Sequence, residues 1–195
     1  KWCESPPPEV SPGQRPLLPV SQAGFRSGRS VQDLVLTLEL GARVNLLRNK
    51  LPFACFVDVK AAYDTVDRSH IWRELQHMEF PKTAISAIRS MYASTKASSY
   101  KADGSRTAPV TIRNGIRQGA PDSPLMFTVA TRRLAAYIRD QLRHAPPEVQ
   151  ADAGWALDFA ESTRLFVLQF ADDTVLLSTS KVSLEWMIKC AQDFR

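Results

Sequence analysis

Residues 164–178 constrain the fold more than any other part of the chain. They read RLFVLQF, then ADD, then TVLLS, so that two apolar runs are joined by a short polar turn. Runs of this length on either side of a turn are typical of a β-hairpin. Asp172 and Asp173 would lie at its tip, where adjacent negative charges repel each other. Aspartate also favours ordinary turns, so the pair alone leaves open whether the tip is functional.

A third aspartate, Asp58, ends another short apolar run. Residues 53–58 read FACFVD after a proline, which predicts a buried strand. If this strand neighbours the hairpin in one sheet, Asp58 and Asp172 emerge side by side. Clustered carboxylates suit Mg²⁺, and two such ions can hold the attacking and leaving oxygens of a phosphoryl transfer.

The rest of the chain is predicted to mix helices with a second hairpin, which favours the α+β class. Asp103-Gly104 predicts a hairpin turn within residues 98–112, and residues 144–163 are predicted to be a loop. Residues 1–21 are rich in proline and are predicted to form an extended arm. Apolar periodicity predicts helices over residues 31–50 (with Ser30 as N-cap), 69–79, 82–95, 123–143 and 182–194.

Positive charge is concentrated in the middle of the chain. The net charge is +5, but residues 81–146 carry 11 basic and 3 acidic residues, whereas residues 147–195 carry 4 basic and 8 acidic ones. This distribution favours a polyanionic partner, although a solvated basic surface would have the same composition. No apolar run is long enough to cross a membrane, and three scattered cysteines favour a reducing, intracellular setting.

Four motifs in a fixed order point to a known family. The chain contains QAGFRSGRS at 22–30, FVDVKAAYDTV at 56–66, GIRQGAPDSP at 115–124 and FADD at 170–173. Together they resemble the reverse transcriptase domain of non-LTR (LINE-like) retrotransposons. Group II intron reverse transcriptases are a less similar alternative, because their third motif resembles TPQGGxxSP. The resemblance implies an α+β palm, with an antiparallel sheet packed on helices, and part of the fingers over residues 22–195.

The resemblance implies that Asp58 is the first catalytic aspartate of the palm and that Asp172 and Asp173 are the pair in the FADD motif. Because side chains alternate along a strand, Asp172 and Asp173 would point in different directions, and we expect Asp58 and Asp172 to bridge both metal ions, with Asp173 less directly involved.

The resemblance also implies roles for other residues. Tyr63 would be a steric gate against a ribose 2′-OH, or else a core aromatic. Arg26 and Arg29 would grip the template or form structural ion pairs, while Arg117 would contact phosphate or template or be a plain surface charge. Asp122 departs from the family pattern, and either caps a helix or weakens nucleic-acid binding. The full implied sets are Asp58, Asp172 and Asp173 for catalysis; Asp58, Val59, Asp172 and Asp173 for metal; Tyr63, Arg117, Gln118 and Gly119 for the nucleotide; and Phe25, Arg26 and Arg29 for the template.

The implied activity is RNA-directed DNA polymerisation with two Mg²⁺ ions, or Mn²⁺. Its partners would be an RNA template, a DNA primer and dNTPs, with no membrane. An inactive relic that only binds nucleic acid is the alternative, because we expect no thumb and a shortened fingers region within these 195 residues. For the same reason we expect this chain alone to extend a primer poorly or not at all.

Overall fold

The computed structural model describes residues 19, 21–161 and 163–194. These residues form two compact units. The sheet unit contains the described residues up to Val59 and from Thr131 onward, and the helical unit contains Lys60–Ala130. The predicted arm over residues 1–21 lies outside the described residues except for Pro19 and Ser21.

Helices and short antiparallel strands follow one another along the chain, which confirms the α+β class. None of the helices in the described ranges is both long and apolar enough to span a membrane. The helices of the described residues are α1 (Val31–Leu47), α2 (Ala62–Thr65), α3 (Arg68–His77), α4 (Lys82–Ala93), α5 (Ser123–Thr131), α6 (Leu134–Arg143), α7 (Pro147–Asp152) and α8 (Lys181–Asp193). The strands are β1 (Phe53–Val57), β2 (Lys96–Ala97), β3 (Val110–Thr111), β4 (Trp155–Ala156), β5 (Arg164–Leu165), β6 (Val167–Phe170) and β7 (Asp173–Ser178).

The strands differ from the sequence-based prediction in two respects. Residues 164–170 form two strands instead of one, because β5 pairs with β4 whereas β6 pairs with β7. The strand β1 was predicted to be buried but is only partly so, since Phe56 is 73% exposed.

Two further stretches also differ from the prediction. Residues 123–143 form α5 and α6 rather than one helix, and the interruption lies where the chain passes from the helical unit to the sheet unit. Residues 144–163, predicted to be a loop, contain α7 and β4. Val149 of α7 is buried, and its carbonyl accepts a 2.7 Å hydrogen bond from Ser183 Oγ. Tertiary contacts therefore stabilise a helix that is too short to be stable by itself.

The largest sheet has the strand order β1–β7–β6, with both pairs antiparallel. On one face, Leu176 of β7 belongs to a buried cluster with Leu184 and Met187 of α8. On the opposite face, Leu177 packs with Trp155 and with apolar residues of α1. Because β7 is covered on both faces, residues 174–178 are all buried although they form a continuous run.

The buried Asn45 joins α1 to β4. Its Nδ2 donates to the carbonyls of Gly41 (2.7 Å) and Ala156 (3.0 Å), and its Oδ1 accepts from the Ala156 N–H (3.3 Å). Gly41 allows the close approach, because a Cβ there would lie 3.3 Å from the Trp155 ring. The predicted N-cap is confirmed, since Ser30 forms a capping box with Asp33.

The helical unit has its own core and its own hairpin. Ile71, Leu75 and Tyr92, from α3 and α4, pack with Phe127 of α5. The pairing of β2 with β3 and the bridge between Tyr100 and Arg106 form the second predicted hairpin, although β2 lies just before the predicted range of residues 98–112. At its turn, the N–H of Gly104 donates to the Lys101 carbonyl at 3.0 Å.

Replacing Asn45 by alanine should lower the free energy of unfolding by about 1–3 kcal/mol, because the backbone groups of Ala156 lose a buried partner. Urea denaturation followed by circular dichroism measures this loss. The control is Gln32→Ala, at an exposed position of the same helix, which should change the value by less than about 0.5 kcal/mol. An equal loss in both variants would contradict the role of Asn45.

Candidate functional site

Strand pairing brings the three predicted catalytic aspartates to one end of the sheet. Val57, the last residue of β1, pairs with Thr174 of β7. Continuing this register by one residue aligns Asp58 with Asp173, and directly opposite residues of antiparallel strands point to the same face. Asp172 precedes Asp173 in the turn between β6 and β7. Asp58 and Asp173 are exposed and Asp172 is half-buried, so the carboxylates meet solvent at this end.

The turn itself has an unusual backbone. Phe170 pairs with Asp173, so Ala171 and Asp172 are the two central residues of a tight hairpin turn. Ala171 has φ 56°, in the left-handed region. That region is unfavourable by about 1–2 kcal/mol for a residue with a Cβ. A strained residue beside carboxylates is typical of functional turns, where the surroundings hold the backbone in place.

A buried glutamine, Gln22, contacts this strained residue. Gln22 Oε1 accepts from the N–H of Ala171 at 3.0 Å, and Gln22 Nε2 donates to the Ala171 carbonyl at 3.2 Å. The same Oε1 accepts from the Gly24 N–H at 2.8 Å. Gly24 lies against the turn, because a Cβ there would be 2.2 Å from the Ala171 nitrogen.

Sequence reasoning assigned no role to Gln22 or Gly24. Both belong to the QAGFRSGRS motif, and the signal was an amide followed two residues later by a glycine. This amide–glycine pattern indicates a role for Gln22 only when its hydrogen-bond partner, Ala171, is known, and the two residues are 149 positions apart in the chain. Sequence spacing cannot identify such a long-range pair.

The aspartates provide a donor set that fits a divalent cation. Among the described residues, no group of three or more histidine, cysteine, aspartate or glutamate side chains could hold a metal ion by itself. Mg²⁺ needs fewer protein ligands, because it keeps several waters and binds through one or two carboxylates plus substrate phosphates. Asp58, Asp172 and Asp173 are hard oxygen donors at paired strand ends, and so they fit an ion that arrives with a nucleotide. Val59, also implied as a ligand, directly follows Asp58 and is exposed.

The predicted template-binding residues follow Gly24 directly. Phe25 is 56% exposed and has φ 57°, so an aromatic ring is presented to solvent from a left-handed backbone. Arg26 Nη1 donates to the carbonyls of Pro19 (2.8 Å) and Gln22 (3.1 Å). Arg26 is therefore at least partly structural, through backbone carbonyls rather than the ion pair considered above. Arg29 is exposed.

In the helical unit, Tyr63 lies at the edge of the core. Its ring stacks on Phe127, with centroids 5.3 Å apart and an interplanar angle of 14°. Tyr63 is half-buried, so part of its surface faces solvent. This environment is compatible with both a core aromatic and a gate, and the gate remains a prediction.

The GIRQG loop is docked on the segment that follows Tyr63. The N–H groups of Gly115 and Ile116 donate to the carbonyls of Val66 (2.9 Å) and Tyr63 (2.7 Å). Gly115 has φ 77°, and a Cβ there would lie 2.7 Å from the Asp64 carbonyl oxygen. Only glycine fits this combination of backbone and space. The predicted nucleotide-binding loop is therefore anchored at its first two residues.

The side chain of Arg68 also anchors this loop. Arg68 Nε donates to the Gly115 carbonyl at 2.6 Å, and Nη2 donates to the Asn114 carbonyl at 3.2 Å. Arg68 Nη1 donates to the carbonyls of Tyr92 (3.1 Å) and Ile112 (3.0 Å). Several backbone acceptors thus share one planar, permanently charged group.

The remaining loop residues have distinct environments. Gln118 and Gly119 are exposed, and Gln118 Nε2 makes a long contact of 3.4 Å to Asp64 Oδ2. Arg117 is half-buried rather than a plain surface charge, with its guanidinium carbon 5.0 Å from the Tyr92 ring centroid. Burial raises the pKa of the Tyr92 phenol, which donates to Asp122 at 2.8 Å. The Asp122 carboxylate is thus engaged by Tyr92, which neither alternative from the sequence anticipated.

Comparisons with known proteins agree with the fold and the motifs. The family described as "Reverse transcriptase (RNA-dependent DNA polymerase)" matches residues 9–194. The chain is 27% identical, over 94% of its length, to the Pol polyprotein of the type-2 retrotransposable element R2DM of Drosophila melanogaster. It is 28% identical, over 89% of its length, to an R2 Pol polyprotein of Popillia japonica. A 149 kDa protein of transposon TX1 of Xenopus laevis is 27% identical over 70% of the chain.

The chain spans only a small part of these relatives, namely 15% of the Drosophila protein, 23% of the Popillia protein and 10% of the Xenopus protein. Among solved structures, apo telomerase from Candida tropicalis, truncated from its C-terminal domain, matches 89% of this chain and 32% of its own. The TM-score is 0.59 and the identity 12%, so this likeness supports the palm and fingers fold alone. With a family match over nearly its whole length, the chain belongs to the reverse transcriptase (RNA-dependent DNA polymerase) family, in the branch of non-LTR retrotransposons.

Proposed function

We propose that the chain carries the catalytic centre of an RNA-directed DNA polymerase. The observation that carries this proposal is the antiparallel pairing of β1 with β7, which aligns Asp58 with the Asp172-Asp173 turn in a chain of this family. In the reaction, the 3′ oxygen of a primer forms a bond to the α-phosphorus of a dNTP. The bond between the α-phosphorus and the bridging oxygen breaks, and pyrophosphate leaves.

The three aspartates would hold the metal ions of this reaction. Asp58, Asp172 and Asp173 are all proposed ligands, because Asp58 is level with Asp173 in the register and Asp172 precedes it in the turn, with the backbone at Val59 next to Asp58. Two bound Mg²⁺ ions would neutralise the charge that develops on the transferred phosphoryl group. The exposed carboxylates can accept such ions without first breaking a protein ion pair in the described part of the chain, because no salt bridge involves them. The family is generally dependent on divalent metals, and the choice of Mg²⁺ follows from the oxygen donors.

Nucleotide selection would depend on residues of the helical unit. Tyr63 would exclude a ribose 2′-OH by contact with the sugar. Its stacking on Phe127 limits the movement of the ring, as a gate requires. The anchored loop would bring Arg117, Gln118 and Gly119 to the nucleotide, with Gly119 (φ 78°) allowing close backbone approach.

Template and primer would be held mainly by positive charge and stacking. Phe25 and Arg29, which follow Gly24 in the chain, offer an exposed ring and an exposed cation. In the helical unit, Arg89 and Arg113 border a cleft of about 440 Å³ that also contains Trp72. These contacts neutralise phosphates without reading bases, which suits an enzyme whose specificity comes from base pairing. The alternative of a relic without activity is not favoured, because the match spans residues 9–194 and includes all three aspartates.

Asp172→Asn should slow primer extension at least about 100-fold, because an amide binds a divalent cation far less well than a carboxylate. The assay is single-turnover extension of a primed RNA template with protein in excess, so that weak substrate binding does not limit the rate. Asp140→Asn is the matched control, since Asp140 is exposed on α6 and makes only a 3.7 Å surface ion pair with Arg143. Equal rates in the two variants would reject the proposed centre.

Tyr63→Val should reduce the preference for dNTP over rNTP at least about tenfold, because removal of the ring opens space for a 2′-OH. The ratio of kcat/KM for the two nucleotides measures this preference. Tyr63→Phe keeps the ring that stacks on Phe127 and should retain the preference. An unchanged ratio in Tyr63→Val would assign Tyr63 to the core alone.

Nucleic-acid binding should weaken steeply with salt, and Arg29→Gln and Arg113→Gln should each make the slope of log K against log[salt] shallower by about 0.7–0.9. Fluorescence anisotropy with a labelled RNA–DNA duplex at several salt concentrations gives the slope. Lys181→Gln is the control, because Lys181 is exposed on α8 and faces Glu185 at 3.7 Å. A wild-type slope near zero would mean that the basic residues form only a solvated surface.

A further inference from the structure

We propose that Gln22 is a positioning residue that holds the hairpin turn formed by Ala171 and Asp172, and that Gly24 allows the close approach of Gln22 to this turn. This inference rests on the proposed function for its consequence in catalysis, but the contact itself does not depend on that function. Gln22 touches neither Asp172 nor Asp173 by a hydrogen bond in the structure, and it acts through the peptide groups of Ala171.

The three hydrogen bonds of the Gln22 amide are mutually consistent. Oε1 accepts from two N–H groups, those of Gly24 and Ala171, while Nε2 donates to the Ala171 carbonyl. Rotating the amide by 180° would direct its NH₂ group at two N–H donors, so the neighbours determine its orientation. Gln22 is 1% exposed, so solvent cannot replace these bonds.

Ala171 needs such a partner because of its conformation and its burial. It is a central residue of the turn and only 8% exposed, so its backbone polar groups are removed from water. Buried backbone N–H and C=O groups are nearly always hydrogen-bonded. In addition, the side chain of an alanine does not favour a backbone with φ 56°, so an outside contact must stabilise it. The side chain of Gln22 satisfies both groups of Ala171 at once and thereby selects the left-handed backbone.

The backbone of Gln22 is itself tied to the hairpin. Gln22 forms a parallel bridge with Gln169 of β6. The Ala23 N–H donates to the Gln169 carbonyl, and the Gln169 N–H donates to the Ser21 carbonyl, both at 2.8 Å. Because the segment is fixed two residues before the turn, the Gln22 amide cannot follow a movement of Ala171. Rotation of the Ala171 peptide, which would redirect Asp172, is therefore resisted.

The chain offers a matched control in Gln169. It is the same residue type, it is also 1% exposed, and it lies opposite Gln22 in the bridge. Among the residues that the structure describes, neither its Nε2 nor its Oε1 has a hydrogen-bond partner. Changing either glutamine to methionine preserves length and approximate volume, but only Gln22→Met removes bonds to the turn. Gln22→Asn is a second variant, one methylene shorter, which keeps an amide but cannot reach both groups of Ala171.

The first measurement is hydrogen–deuterium exchange of the peptide covering residues 168–174 in the 195-residue chain, read by mass spectrometry. We expect the Ala171 amide to exchange at least about tenfold faster in Gln22→Met and Gln22→Asn than in Gln169→Met, with thermal unfolding still cooperative in all three. The second is single-turnover extension at varied dNTP concentration. There the maximal rate should fall about tenfold to 100-fold in the Gln22 variants, because small displacements of catalytic groups are costly, while the apparent KM for dNTP changes less than about threefold.

Equal exchange at Ala171 in the Gln22 and Gln169 variants would overturn the proposal. Global unfolding of both Gln22 variants, with Gln169→Met still folded, would also overturn it, because Gln22 would then stabilise the whole unit rather than one turn. An absence of primer extension by the wild-type chain bears on the proposed function alone, and the exchange data still decide whether Gln22 holds the turn. An equal fall in the extension rate of Gln169→Met would contradict a positioning role that is specific to Gln22.

Discussion

Hydrogen bonding between β1 and β7 is the constraint on which the candidate site depends. The two strands are far apart in sequence, yet their register brings Asp58 level with Asp173, across the end of one sheet. A shift of one residue would send the side chains of β1 to the opposite face and separate the carboxylates. The register is stabilised because β7 is buried on both faces, between α8 on one side and α1 on the other. Hydrophobic packing thus determines the register that sets Asp58 level with Asp173.

Side-chain contacts to backbone hold the segments that packing alone leaves free. Gln22 contacts the turn at Ala171, and Asn45 joins α1 to β4. Arg68 donates hydrogen bonds to backbone carbonyls at the start of the GIRQG loop. Each places a long or branched polar side chain against several backbone groups of a turn or short strand. Such segments bury too few apolar atoms to define their own conformation. The positions of the aspartates and of the GIRQG loop therefore depend on a few polar residues elsewhere in the chain.

The sequence predicted elements well where local pattern and tertiary packing agree. The hairpin of β6 and β7 and α1 with its Ser30 cap are confirmed. The strand at β1 is confirmed in position but not in burial, because Phe56 is 73% exposed. The hairpin around Gly104 is confirmed, although β2 lies just before the predicted range. Prediction failed where tertiary context overrides local pattern. The interruption between α5 and α6 contains neither glycine nor proline, and it coincides with the passage between the two units. The short helix α7 depends on the burial of Val149 and on Ser183, which the local sequence cannot reveal.

For the candidate site, the sequence by itself determined the residue types and the order of the motifs, because three aspartates at the ends of apolar runs and four ordered motifs are local features. These were sufficient to identify the family and the α+β palm. Only the tertiary structure decided that Asp58 aligns with Asp173, that Arg117 packs on Tyr92, and that Gln22 contacts Ala171. The reason is physical: pairing register, aromatic packing and amide contacts join residues that are distant in sequence. Their geometry is set by the burial of whole elements and not by the composition of any one segment.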